Sequence, residues 1–156
     1  MKPLTLIIVG SVVVVVALGG VAVYNTPQAR TIRLNNPGAI WKSSVAWNGK
    51  VPTDDPNFEA FDSPLMGARA MLKNMKTHYD RGDKTIAKMI AGWTPDNRAN
   101  YANAVSKAVF GDDTFVNSTF AWNFENATKI AKAMSDWETG VPWFQLGLFQ
   151  EAWSLM

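Results

Sequence analysis

The chain has 156 residues, with 15 Lys and Arg against 13 Asp and Glu, one histidine and no cysteine. Disulfides, thiol chemistry and any zinc site built on two or three histidines are therefore excluded. The residues after the amino-terminal stretch are nearly neutral and carry no basic stripe, which argues against nucleic acid as a partner. Nothing in the composition calls for a cofactor or a metal.

The first element is a run from Leu4 to Tyr24 without a charged residue. At about 1.5 Å rise per residue, such a run as a helix spans a ~30 Å hydrocarbon core. A secretory signal peptide is the rival, but its apolar region is usually about 7–15 residues and ends in a small-residue cleavage site. The unbroken Val12 to Val16 run and the missing A-x-A string favour an uncleaved anchor. The sequence thus predicts a single-pass membrane protein with an anchor over residues 1–25, contacting lipid through residues 4–24. Lys2 precedes the span and Arg30 and Arg33 follow it, so the positive-inside rule gives no vote on orientation. A polar linker is expected over residues 26–31 and one domain with one core over residues 32–156.

Within that domain, Asn35-Asn36-Pro37-Gly38 suits a type II turn, proline presetting φ and glycine accepting φ > 0. Ala39-Ile40-Trp41 reads as a short strand, Asn48-Gly49 as a hairpin turn, and Phe58 to Phe61 as a further strand, together a small β-wing. Helical spacing then takes over. Ser63-Pro64 opens a helix with Leu65, Ala68, Leu72, Met75 and Tyr79 on one face. Asp83 is expected to cap a shorter helix carrying Ile86, Ile90 and Trp93. Thr94-Pro95 opens a third helix with Tyr101, Val105 and Val109 inward, broken at Gly111. A fourth helix runs from about Trp122 to Trp137 and stops before Gly140, and a last one covers roughly Trp143 to Leu155. The reading is a mainly α domain with one small β-wing.

The strings LNNPGAI, WNGK and FEAFDSPLMGARAM resemble a phage virion-protein family marked by R-N-N-N-P-G-N-I-R, W-x-G and F-x-x-F-D-S-P-x-x-G-x-R-A. They are also similar to the second half of bacterial glucosaminidase domains, and so to lysozyme-like enzymes that cut peptidoglycan glycan strands. The likeness covers residues 31 to about 110. Where the family carries Asn after the glycine and Glu after the proline, this chain has Ala39 and Leu65. The resemblance implies a catalytic glutamate upstream of the turn, yet no acidic residue precedes Asn35. An E-T-G string occurs instead at the other end, in DWETGVPW, at Glu138.

On a helix, Glu138 falls within roughly 40° of the stripe Phe124, Ala127, Ala131 and Met134. Burial beside that stripe and the negative end of the helix dipole would both raise its pKa. Glycoside cleavage needs such an acid, protonated near neutral pH. The expectation is a lysozyme-like domain in a circularly permuted arrangement, behind one transmembrane helix. Glu138 would be the general acid. Asn35, Asn36 and Gly38 would shape one wall of a sugar cleft, and Trp41 and Trp47 would stack on the sugar. Asp54, Asp55, Glu59 and Asp62 read as turn and cap residues, His78 as a helix-surface residue and Tyr101 as core. Two functions follow: a membrane-anchored peptidoglycan hydrolase or lytic transglycosylase of a phage, or a non-enzymatic virion membrane protein of the same fold, in contact with other virion proteins.

Overall fold

The computed structural model describes the backbone of residues 27–156, with side chains from Arg30 onward, and the backbone of three short strands nearer the amino terminus. Those strands, β1 (Thr5–Val9), β2 (Val12–Ala17) and β3 (Gly20–Val23), pair as an antiparallel meander in which Thr5 faces Val16 and Val14 faces Val23. This corrects the expectation of one continuous helix over residues 4–24. The physical reason is composition: valine, branched at Cβ, loses rotamer freedom in a helix and packs well on a pleated surface. The other residues of the expected anchor lie outside the described residues. Among the described residues, no helix is long and apolar enough to cross a membrane.

A helix begins within the expected linker over residues 26–31. Helix α1 spans Pro27–Arg33, with proline at its first position, where the missing N–H costs nothing. Arg30 ties this helix to the wing through a bidentate pair with Asp55: Nε donates to Oδ2 at 2.9 Å and Nη2 to Oδ1 at 2.7 Å.

The turn follows directly. The Ala39 N–H donates to the Asn36 carbonyl at 3.1 Å, so the turn is Asn36 to Ala39. Its positive φ angles are at Asn35 (51°) and Ala39 (47°), not at Gly38, so the type II geometry is not adopted. The Ala39 position is the one where the resembling family commonly has asparagine, a residue that tolerates the left-handed region better than alanine. Gly38 is required for space: a Cβ there would lie 2.9 Å from both Met71 Cγ and Trp93 Cζ2.

The wing is looser than expected. Trp41 makes an isolated bridge with Phe58 in place of a strand over residues 39–41. The Asn48-Gly49 turn leads into β4 (Lys50–Val51), which pairs antiparallel with β5 (Ala60–Phe61) in a two-stranded sheet. Helix α2 (Pro64–Asp80) starts as its sequence says, with Ser63 Oγ accepting from the Met66 N–H. Helix α3 (Ile86–Trp93) is capped by Thr85, not Asp83, because Asp83 is engaged with His78. Helix α4 (Arg98–Phe110) begins beyond Pro95 and closes on Gly111 at φ 78°. After a 3₁₀ turn at Thr114–Asn117 come α5 (Phe124–Thr139), closed by Gly140 at φ 70°, and α6 (Leu146–Trp153).

Helix α2 packs on α6 and α5, α4 joins α5 to α3, and α1 lies on α5. Met71, Met75, Ile90, Ile130, Met134 and Phe149 are all 0% exposed at the centre. The described domain is thus mainly helical with one small sheet.

One close approach joins the turn to this bundle. A Cβ on Gly67 would sit 1.8 Å from the Asn35 carbonyl oxygen, so α2 touches the turn with bare backbone. Gly67→Ala cannot be absorbed by a flexible side chain, since the obstacle is main chain. It is expected to destabilise the domain by about 3 kcal/mol or more, read as a lowered denaturation midpoint.

Candidate functional site

The turn residues split into structural and available groups. Asn36 is 0% exposed and its amide is spent within the fold. Nδ2 donates to the carbonyls of Ile40 (3.0 Å) and Glu59 (2.9 Å), and Oδ1 accepts from the Ile40 N–H (2.8 Å). Asn35 donates its amide to the Phe61 carbonyl at 2.9 Å, and the Gly38 carbonyl accepts from Trp93 Nε1 at 3.0 Å. These groups brace the wing against the helices. None of Asn35, Asn36 and Gly38 lines the neighbouring cleft, which Ala39 and Ile40 border.

That cleft, of about 250 Å³, lies between the wing and helices α2 and α3. Trp41, Trp47 and Trp93 supply aromatic surface, with Ser43, Asn74 and His78 as polar groups. Trp41 is 60% exposed and packs edge-on to Phe58 at 5.3 Å. Trp47 Nε1 is a buried donor with no partner among the described residues. A second groove of about 560 Å³ adjoins the first, sharing Val45, Trp47 and Asn74 and adding Lys73 and Lys76. Trp41 and Trp47 are thus brought together in one concave surface, as their place in the wing suggested. Concave aromatic surface with a few polar groups is the usual make-up of a ligand site.

His78 is the residue that sequence reasoning missed. It is 7% exposed, not on the helix surface, and its ring lies 5.9 Å from that of Trp93. Its Nδ1 is 3.0 Å from Asp83 Oδ2 and 3.0 Å from Arg81 Nη2. The signal was present: Met71, Met75 and His78 follow the i, i+4, i+7 spacing of one helix face.

Glu138 occupies a different place. It lies in the last turn of α5, partly buried, and its Oε1 accepts from the Tyr101 hydroxyl at 2.8 Å. The same hydroxyl reaches the Met134 carbonyl at 3.2 Å, and the Tyr101 ring stacks on Trp137 at 4.9 Å. Burial pushes the Glu138 pKa up to about 7, against a smaller downward pull from the Tyr101 hydrogen bond. Tyr101 is itself held well above its usual value, by burial and then by the Glu138 charge. Glu138 is not part of the lining of the Trp cleft. Phe124, expected on the buried stripe of this helix, is 45% exposed and packs edge-on to Trp153.

Three other carboxylates of the wing and helix start are committed. Asp55 accepts from Arg30 and from the Asn57 and Phe58 N–H groups; the guanidinium, first among these, holds its pKa well below the usual range. Glu59, 1% exposed, accepts from Lys50 Nζ and the Ser43 N–H, both at 2.8 Å. Asp62 accepts from Ser63 Oγ beside the start of α2. Among the described residues no cluster of acidic and histidine side chains could hold a metal.

The fold and the cleft define a small helical domain with a β-wing and an aromatic-lined cleft. The chain is 33% identical over 132 residues to Protein P5 of Pseudoalteromonas phage PM2, covering 78% of this chain and 79% of that one, and it belongs to that phage protein's family. No family model matches the chain.

The Glu138 environment has a measurable consequence. A carboxyl with a folded-state pKa above its unfolded value of 4.5 binds its proton more tightly when folded. Stability therefore falls as pH rises from the unfolded value toward the folded one, and the loss is complete above it. Glu138→Gln, which keeps an acceptor for Tyr101, should remove this fall and be more stable than the wild type at pH 8 by roughly 1–3 kcal/mol. Denaturation midpoints at pH 5 and pH 8 check the difference.

Proposed function

We propose that this protein is a membrane-anchored component of a phage virion that engages peptidoglycan and cuts its glycan strands during entry or lysis. The observation that carries the reading is Glu138, a carboxyl held near pKa 7 by burial at a helix end and braced by Tyr101. An acid in that state can protonate the oxygen of a glycosidic bond at neutral pH. Asp55 and Glu59 are each committed to a basic partner, which supports a mechanism with a single protein carboxyl. The substrate's own acetamido oxygen would then attack the anomeric carbon as the bond to the leaving oxygen breaks, as in substrate-assisted glycosidases. Release by water makes the enzyme a hydrolase; release by the sugar's own 6-hydroxyl makes it a lytic transglycosylase.

A polymer suits the layout. The Trp41/Trp47 cleft and Glu138 are separate features, so a long strand can be gripped at one and cut at the other. In this reading the domain is a lysozyme-like one in which helix α5 delivers the acid that related enzymes supply upstream. Residues 4–24 serve as the anchor. An anchor there would place the domain at a membrane surface beside other virion proteins.

The exclusion of Glu138 from the Trp cleft lining favours a second reading, a virion protein that holds glycan strands without cutting them. Release of soluble fragments from purified peptidoglycan separates the two. The enzyme reading expects release by the wild type and a ~10²–10⁴-fold loss in Glu138→Gln with the fold retained. Binding without fragments from the wild type rejects cleavage and leaves the holding role. For the anchor, deletion of residues 1–25 should move the domain from the membrane fraction to the soluble one.

A further inference from the structure

We propose that His78 reads the ligand of the Trp-lined cleft, its Nε2 hydrogen-bonding a hydroxyl of a sugar ring stacked on Trp41 and Trp47. The inference deepens the glycan reading and rests on it. It does not depend on whether Glu138 cuts the strand.

Four observations build the site. His78 belongs to the cleft lining although its residue is 7% exposed, so the little surface it shows is placed there. Its Nδ1 side is closed by Asp83 and Arg81. Gly92 leaves room for the ring and for nothing more, since a Cβ at Gly92 would fall 2.6 Å from Nδ1. Nε2 makes no hydrogen bond within the described residues, yet it is not sealed inside. The buried polar atoms without a partner there are Trp47 Nε1, Ser135 Oγ and Asp136 Oδ1. An imidazole fixed at one nitrogen and free at the other, in an aromatic cleft, is built to meet a polar group.

The chemistry of Nδ1 narrows which group. An ionised Asp83 only accepts, so its bond needs the proton on Nδ1 and leaves Nε2 as an acceptor. Arg81 only donates, so its bond needs the lone pair on Nδ1 and makes Nε2 a donor. The two bonds cannot be made by one neutral ring at once, and the cleft face of His78 alternates between donor and acceptor. A carboxylate ligand fits only the donor form and an ammonium only the acceptor form. A hydroxyl is both donor and acceptor and fits either without displacing Asp83 or Arg81. Asn74 and Ser43, with the same dual capacity, line the cleft beside it. Flat aromatic walls with three ambivalent polar groups fit a polyhydroxylated ring. Asp83 is a positioning residue that weights the ring toward the acceptor form.

The test uses the full chain in detergent micelles and the tetramer of N-acetylglucosamine as probe. Two readouts are followed: indole fluorescence, and the ring ¹⁵N resonances of His78, the only histidine in the sequence. The expected result is quenching together with a shift at Nε2 and a change in the tautomer signature. His78→Gln should weaken probe binding about tenfold, the size of one lost hydrogen bond. Asp83→Asn should alter the tautomer signature in the free protein and weaken binding severalfold. Quenching with an unmoved Nε2 overturns the role of His78 and leaves the aromatic cleft as a sugar site. No quenching and no shift overturns the cleft itself. The ¹⁵N measurement is made on the unaltered chain, so poor folding of His78→Gln does not remove the test.

Discussion

One buried side chain joins the turn to both segments of the wing. Asn36 spends a carboxamide on three backbone groups, two from the residue four ahead and one from Glu59. A backbone turn cannot do this alone, because the partners lie on two chain segments and are cut off from water. Removing the amide would strand the Glu59 carbonyl and the Ile40 N–H in a dry interior, at about 1–3 kcal/mol each, while the Ile40 carbonyl keeps the Glu59 N–H. The flanking contacts reinforce the same joint. Gly67 lets helix α2 reach the Asn35 carbonyl, and Gly38 lets Met71 and Trp93 close over the turn. The cleft exists because this joint fixes the wing at a set height above α2.

Ion pairs then set the two outer corners of the wing. Arg30–Asp55 ties it to α1, with the guanidinium also 5.0 Å from the Phe58 ring, and Lys50–Glu59 ties its strands to the Ser43 loop. Both carboxylates are nearly inaccessible, so each pair matters chiefly because breaking it would leave a buried charge uncompensated. This explains why neither acid is free for chemistry. Acidic residues in a sequence that resembles glycosidases invite a catalytic role. Here desolvation forces them into structural pairs.

Two polar centres remain, and they differ in kind. Glu138 is a single carboxyl in an apolar setting, its proton retained by burial and its oxygen steadied by Tyr101. His78 is a ring held between an acceptor and a donor, in the lining of the cleft that carries the tryptophans. The first is suited to giving up a proton near neutrality. The second is suited to matching a partner that both gives and accepts. A ligand long enough to use both would have its recognition and its chemistry supplied by different helices.

Local chemistry by itself determined the helices and some of their ends. Ser63 before Pro64, Asn123 before Phe124, and glycines at 111 and 140 act within one or two turns, so their effect needs no tertiary context. The apolar spacing of α2 and α5 was legible for the same reason, and Glu138 could be placed at the edge of a buried face. Only the tertiary structure decided the rest. Asp83 gave up its expected cap because His78 lies across from it, and Gly38 proved to be needed for the room that Met71 and Trp93 occupy, not for its φ. His78 looked like a surface residue because a lone polar side chain at the end of a helix usually is one. It is buried because Trp93 and Gly92, from the next helix, fold over it. Periodicity reports which face a residue shares. It does not report what distant segment will cover that face, and that cover is what places His78 in the cleft.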